Sequence, residues 1–563
     1  MKKRNKTKAF LFLFGVLLIC TGLAGMILYP SPPLHKEKVR FMNTNGRRLA
    51  GVLYRIPSSG GNQRMPTVVL CHGISCSKEL MDTMGYDLAR HGFLIFSFDY
   101  GGHGESESHP VSEEECLADV LCALKEVRRH PEADPDKVAL IGHSMGAVSA
   151  SLAAMRDENV RACVCLGQKG AGTKDYPQNM LQAYCLYDQY HTVPSMREAF
   201  KEIDGGADVM SFHTVRDISP KRFTEPGNRA LLILPDGDHS TEVYSMRLIP
   251  EIRNWLRKSM GLDPDYSQCQ SGMRVYFEFL WGVGLCLSGI LFLLHVIPEK
   301  AIRMIGFIPG VLTLLSCVLL RTSNLPEWIS LFLTYLYLIV TTSLYCLWME
   351  GKKQQDVFPK ILMGFLLLVI SFSLGSILGT ADQLVKNPSA ILWLPVAGIN
   401  IVVHRLHFVF NILRAKLFQS YTGPLIPSRG FMILLILEPL FPGLVWRPIS
   451  WIGSRISQRI MQFRFSSITI GTRDFKALVL LIILWGASIK ILYTRYGEGL
   501  LGLDSMLILG TVILRMYVMP FLVLIILIRI NVGQGLARLF HKTIAPRKGR
   551  VMETRPMNRI TIK

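Results

Sequence analysis

Between Val138 and Met155 the chain runs VALIGHSMGAVSASLAAM: four apolar residues, a Gly-x-Ser-x-Gly, then a stretch of small residues. A short buried strand that must turn straight into a helix leaves few folds open. Gly142 and Gly146, two before and two after the serine, give the chain room to fold back on itself. The turn puts Ser144 in a strained conformation, with its hydroxyl exposed at the tip of a sheet beside a helix N-terminus. Ser144 is therefore a candidate nucleophile, whose partners must come from elsewhere in the chain.

From Lys36 to about Met260, strands and helices alternate. KVRFMNTNGRRLAGVLYRIP is a hairpin turning at Asn45-Gly46. PTVVLCHG and FLIFSFDY are apolar strands, and KELMDTMGYDLARHG between them is helical. VSEEECLADVLCALKEVRRH is an amphipathic helix, acidic at its start and basic at its end as the helix dipole favours. RACVCLG, NMLQAYCLYD and RALLILPDGDH are further strands; SMREAFKEI and EVYSMRLIPEIRNWLRKSM are helices. This alternation predicts an α/β domain over 36–262, a mostly parallel sheet with helices on both faces.

The flanks differ in kind. MKKRNKTK followed by about 21 apolar residues predicts a signal-anchor helix, and Pro30-Ser-Pro-Pro33 a stiff exit from the membrane, giving a first unit of 1–35. Beyond 262, apolar runs recur at 274–296, 303–320, 328–348, 360–381, 390–413, 430–446, 476–494 and 505–528, a multispan helical region over 263–531. Charge follows this division. Residues 36–270 hold 27 Lys and Arg against 31 Asp and Glu, while residues 271–563 hold 30 against 11. Basicity that flanks apolar runs fits a positive-inside bias, not a nucleic-acid surface, so no nucleic-acid partner is expected. Lys352-Lys353, the 447–476 segment and the basic tail 532–563 are then cytoplasmic. This is consistent if 430–446, with Glu438-Pro439 and Pro442-Gly443, is re-entrant. Eight spans remain, both termini lie inside, and the α/β domain lies outside. Ionisable groups inside the runs (His404, Arg405, His407, Glu438, Arg515) are functional candidates, and a pairing of Arg405 or Arg515 with Glu438 is expected.

A nucleophilic serine needs a base, an acid to orient the base, and donors for the oxyanion. In a parallel sheet these come from loops at the carboxyl ends of strands. His239 follows the last strand and is the expected base; Asp188 ends the preceding strand and is the expected acid, with Asp217, Asp236 and Asp238 as competitors. His72-Gly73-Ile74 closes an earlier strand, where the Ile74 amide, joined by that of Met145, is placed to meet an oxyanion. Asp99-Tyr-Gly-Gly-His-Gly-Glu-Ser106 lacks the spacing of a phosphate loop and is expected to be structural. The cysteines show no metal-ligand spacing, and neither a metal nor an organic cofactor is expected.

HG, DYGGHGES, GHSMGA (Gly142, His143, Ser144, Met145, Gly146), CLYD and DGDHS, in that order, resemble the α/β-hydrolase superfamily, nearest the branch of monoglyceride lipases, esterases and S33-type aminopeptidases. The resemblance covers about 36–260 and implies nucleophile Ser144, acid Asp188 and base His239. Two features depart from that branch. About a dozen residues separate RACVCLG from NMLQAYCLYD, where the branch inserts a helical cap, and the acid loop is YCLYDQ without its usual glycine. The chain is thus expected to be a membrane-anchored serine hydrolase acting on an ester of a lipid or acylated molecule at the bilayer. The alternatives are a peptidase of the same fold and a transporter or sensor whose α/β domain only binds.

Overall fold

The computed structural model describes residues 2–57, 64–74, 76–107, 112–191, 193–203, 227–296 and 388–418, with isolated positions besides. The apolar runs at 303–320, 360–381, 430–446, 476–494 and 505–528 lie essentially outside the described residues. So do most of 328–348, Glu438, Arg515, the basic tail and most of residues 204–226.

After helix α1 (Lys2–Leu28), the hairpin β1 (His35–Met42) and β2 (Arg48–Arg55) opens an eight-stranded sheet. Gly46, with φ 70°, makes its turn as Asn-Gly predicts. Then follow β3 (Met65–Cys71), a single tight turn at Lys78–Met81, α2 (Asp82–Arg90), β4 (Leu94–Asp99) and α3 (Glu113–Arg128). The chain continues through β5 (Ala133–His143), α4 (Met145–Arg156), β6 (Val160–Leu166), β7 (Asn179–Cys185), α5 (Val193–Ile203), β8 (Asn228–Leu234) and α6 (Leu248–Ser259). The strand order is β1-β2-β4-β3-β5-β6-β7-β8; β1 and β2 run antiparallel, and the pairs from β4 to β8 are parallel. All the crossover loops of the parallel part therefore gather their carboxyl ends along one edge.

Both faces are covered. Val120 and Leu124 of α3 pack with Ala147, Ala150 and Ala154 of α4 on one side, and Leu88 of α2 with Ile252 and Trp255 of α6 on the other. The alanines let α4 lie close on the sheet, so the helix that follows Ser144 is held hard against the strand that precedes it. Ser112 caps α3 by accepting from the Glu115 amide at 3.2 Å. The last helix is shorter than its sequence pattern predicts: EVY forms a separate tight turn and α6 begins at Leu248. Pro250 is the cause, because a proline is tolerated in a first turn but would clash with the carbonyl four residues back in a longer helix.

Two described helices are long and apolar enough to cross a membrane, at Ala9–Leu28 and Gln270–Leu293, the second within α7 (Gln270–Val296). They pack antiparallel. Ser288 of α7 donates to Phe12 O at 3.3 Å near one end, and Arg274 donates to Met26 O and Tyr29 O at 3.2 and 3.1 Å near the other. Small residues allow the approach, since a Cβ on Gly15, Gly22 or Gly25 would strike Ser288, Trp281 or Phe277. Both connections to the α/β domain are pinned. Arg90 donates to Pro30 O at 2.7 Å, while Arg253, buried against Asp87 at 2.8 Å, donates to Asp265 O at 3.0 Å and to Ser267 O. The 390–413 run forms a tight-turn segment Pro388–Trp393 and a helix α8 (Leu394–Phe418), which docks on the α/β domain. Arg405 pairs with Asp238, a buried carboxylate of the α/β domain, while Glu438, the partner expected for it, lies outside the described residues.

Candidate active site

Ser144, between β5 and α4, has φ 54° and ψ −118° and is the non-glycine residue with positive φ among the described residues. Two close approaches hold it there. A Cβ on Gly146 would strike the carbonyl oxygens of Cys71 and His72, so α4 can start only this near to β3 because position 146 has no side chain. A Cβ on Gly73 would lie 2.9 Å from His143 Nδ1 and 3.3 Å from Ser144 Cβ, so the Gly73-Ile74 backbone passes directly beside the serine. Met145 is the first residue of α4, where the amide has no partner within the helix.

The structure brings Ser144, His239 and Asp188 together from the ends of β5, β8 and β7. His239 Nε2 lies 3.1 Å from Ser144 Oγ, and His239 Nδ1 lies 2.8 Å from Asp188 Oδ2. An ionised carboxylate only accepts, so Nδ1 carries the proton and Nε2 is free to accept from the serine hydroxyl. The other oxygen, Asp188 Oδ1, accepts from the amides of Tyr190 and His191 at 2.7 and 2.9 Å. The turn after Asp188 thus performs the task for which a glycine is absent. Burial opposes the charge on Asp188, which is 1% exposed. The His239 charge and hydrogen bond, with those of His191, outweigh that burial and hold the carboxyl below its ordinary range.

The competing acids are accounted for among the described residues. Asp236 lies 3.9 Å from Arg247, and Asp238 faces Gln189 and Arg405. Asp217 lies outside the described residues.

Three further groups shape the base, and sequence reasoning gave them no role of their own. Tyr190 packs its ring on that of His239, with centroids 4.3 Å apart. His143, the variable position of the Gly-x-Ser-x-Gly, donates from Nε2 to His239 O at 2.9 Å and so ties the base loop to the elbow. Burial, then the neighbouring His239, pushes His143 down to about 3, which keeps it neutral. Glu242, one turn after His239, is 0% exposed; burial, then the charges of Asp188 and Asp238, pushes its carboxyl well above the ordinary value. The signal that could have found Glu242 is its place three residues after the base on a turn that must face inward.

His143, His239 and Glu242 offer atoms within 4.8 Å of one another, a possible metal cluster by distance. Both ring nitrogens of His239 already face Ser144 and Asp188, so its contacts are those of a hydrogen-bonded base. The loop beside the oxyanion side is braced as expected. His72 lies edge-on to Tyr100 with centroids 5.0 Å apart, and buried Asp99 accepts from Lys78 N, Lys78 Nζ and Glu105 N.

The strand order, the elbow at the end of β5 and the antiparallel β2 define a domain of the α/β-hydrolase fold. Residues 62–197 match the family model described as serine aminopeptidase, S33, a span that contains Ser144 and Asp188 and ends before His239. A thiohydrolase of Aspergillus aculeatus is 30% identical over 132 residues, 23% of this chain and 40% of its own length. A polyketide transferase of Aspergillus fumigatus is 27% identical over 165 residues, 28% of this chain and 55% of its own. The chain spans about half the length of such curated relatives. Among solved structures, an esterase of Pyrococcus furiosus is 16% identical over 40% of this chain and 94% of its own, with a TM-score of 0.31. The family-model match supports a hydrolase.

Proposed function

We propose that the protein is a membrane-anchored serine hydrolase that cleaves a carboxylic ester, with a lipid or acylated molecule as substrate. The observation that carries this reading is the continuous contact from Ser144 Oγ through His239 to Asp188, at 3.1 and 2.8 Å. Ser144 Oγ attacks the acyl carbon while His239 Nε2 takes its proton, and the Asp188 carboxylate stabilises the imidazolium. The carbonyl oxygen becomes an oxyanion that accepts from the Ile74 and Met145 amides. As the tetrahedral species collapses, the C–O bond to the alcohol breaks and His239 returns the proton to the leaving oxygen. Water, deprotonated by His239, then attacks the acyl-enzyme; the acid leaves and Ser144 regains its proton.

Anchoring is supported by the two apolar helices, whose spanning windows have only 17% and 28% of their residues buried, unlike core helices. Pinned connections at Pro30 and at Asp265–Ser267 keep the α/β domain next to these helices. That nearness favours a substrate drawn from the bilayer over a soluble metabolite. The positive-inside pattern of the sequence puts the domain on the extracytoplasmic side.

The test is labelling of the full-length protein with a fluorophosphonate probe. It is combined with hydrolysis of esters and thioesters of graded acyl length, and of aminoacyl anilides, in detergent and in vesicles. Ser144 should be labelled, Ser144→Ala should not, and long-chain esters should be preferred in vesicles. Labelling that persists in Ser144→Ala refutes the nucleophile; turnover of anilides alone would assign the peptidase reading that the S33 match favours.

A further inference from the structure

Asp238 is wholly buried and stands between the catalytic base and a helix from far along the chain. Its Oδ1 accepts from Ser240 N at 3.2 Å, Thr241 N at 3.1 Å and Thr241 Oγ1 at 2.9 Å, which fixes the turn carrying His239. Its Oδ2 accepts from Gln189 Nε2 at 2.7 Å, and Gln189 directly follows the acid Asp188. The same oxygen accepts from Arg405 of α8, through Nε at 3.1 Å and through Nη2. One carboxylate therefore joins the base turn, the acid turn and α8. Among the described residues Arg405 is the cation in ion-pair distance of Asp238. A buried carboxylate without a cation is costly to keep ionised, so the geometry of both turns depends on Arg405 staying in place.

Contacts on either side make this a docked face. Asn400 Nδ2 donates to Asp236 O at 3.2 Å, and the Tyr276 hydroxyl of α7 bonds Asn400 Oδ1. The His404 ring lies parallel to Tyr244 at 5.5 Å, with His407 edge-on to the same ring at 5.2 Å. Ala397 and Ile401 pack on Leu186 and Tyr187, just before Asp188.

We infer that Arg405 is a positioning residue of the hydrolase: through Asp238 it holds the turns of His239 and Asp188 in register, and α8 thereby sets the reactivity of Ser144. This rests on the serine-hydrolase reading above. Arg405 touches neither Ser144 nor His239, so its loss should act on the chemical step and not on substrate binding.

The experiment uses the full-length protein in detergent, measuring the rate of fluorophosphonate labelling at Ser144 together with kcat and KM for an ester. Arg405→Met should lower the labelling rate and kcat by about 10- to 100-fold with KM unchanged, the scale expected for a small misplacement of reacting groups. Arg405→Lys should recover most of the loss, because both arginine nitrogens reach a single oxygen that an ammonium can also reach. Asp238→Asn combined with Arg405→Met should be no slower than Asp238→Asn alone. If Arg405→Met yields no folded protein, Arg405→Gln takes its place with the same expectation. A wild-type rate in Arg405→Met, a loss carried by KM, or a Lys variant as slow as Met overturns the inference. Absence of labelling in the wild type instead overturns the serine-hydrolase reading beneath it.

Discussion

The strain at Ser144 predicts that the proposed nucleophile lowers the stability of its own domain. With φ 54° and ψ −118°, position 144 lies where residues with a Cβ are disfavoured, at a cost of about 1–3 kcal/mol. Ser144→Ala and Ser144→Gly both remove the hydroxyl and its contact with His239, so the two variants differ only in whether a Cβ has to bear that conformation. Glycine relieves the strain but gains freedom in the unfolded chain, which offsets about 0.4–1 kcal/mol. The glycine variant should therefore be more stable than the alanine variant by roughly 0.5–2 kcal/mol. Amide hydrogen exchange read by mass spectrometry on the full-length proteins in detergent reports this, because peptides from β5 and β6 exchange only when the domain core opens. A gap of that size corresponds to about 2- to 30-fold slower exchange in Ser144→Gly. Neither variant should react with a fluorophosphonate. Equal exchange, or slower exchange in the alanine variant, would show that the elbow stores no strain and that Gly142 and Gly146 alone shape it.

Asp188→Asn puts an amide opposite His239 Nδ1 and favours the wrong imidazole tautomer, so the labelling rate of Ser144 should fall by about 10⁴-fold. Asp236→Asn, whose carboxylate faces Arg247, should leave it unchanged in the same time course. Glu242 should make stability depend on pH. Its folded-state pKa is raised above the ordinary 4.5, so the folded protein keeps a proton that the unfolded chain has released. The stability this group contributes is complete below 4.5 and is lost as pH rises towards the folded value. Glu242→Gln cannot ionise, so its stability advantage over wild type should widen from pH 4.5 to pH 8 in thermal melts; parallel curves would refute the burial argument.

Much of this site was legible because it is local or ordered by topology. VALIGHSMGA contains strand, turn and helix within reach of one another, and the places of Asp188 and His239 follow from their positions at strand ends in a parallel sheet. Asp188 lacked its expected glycine, yet it closes its own turn through the Tyr190 and His191 amides, a contact that no residue spacing announces. Pro250 is a signal already present in the sequence that the last helix starts at Leu248 and not at Glu242. Arg405 stands out in the sequence as a charge in an apolar run, but its ion pair with Asp238 spans 167 residues and no spacing announces it. A charge in such a run shows that a partner must exist, not which one.

The end of the α/β domain near residue 262 is a boundary of composition, and the electrostatics argue that it is not one of energy. Asp238 is 0% exposed and its cation comes from α8, beyond that boundary. Removing one partner of a buried pair typically costs about 3–5 kcal/mol, against a total stability of roughly 5–15 kcal/mol for an ordinary domain. A domain cut at 262 would face that loss directly beside the turn that carries His239. Arg253 points the same way, since this buried side chain pairs with Asp87 inside the domain and also donates to Asp265 O and Ser267 O of the connection to α7. After β6 the chain has only a short loop, and α8 packs against the turns that carry Asp188 and His239. A helix from beyond residue 262 thus completes the charge balance beneath the turns of His239 and Asp188.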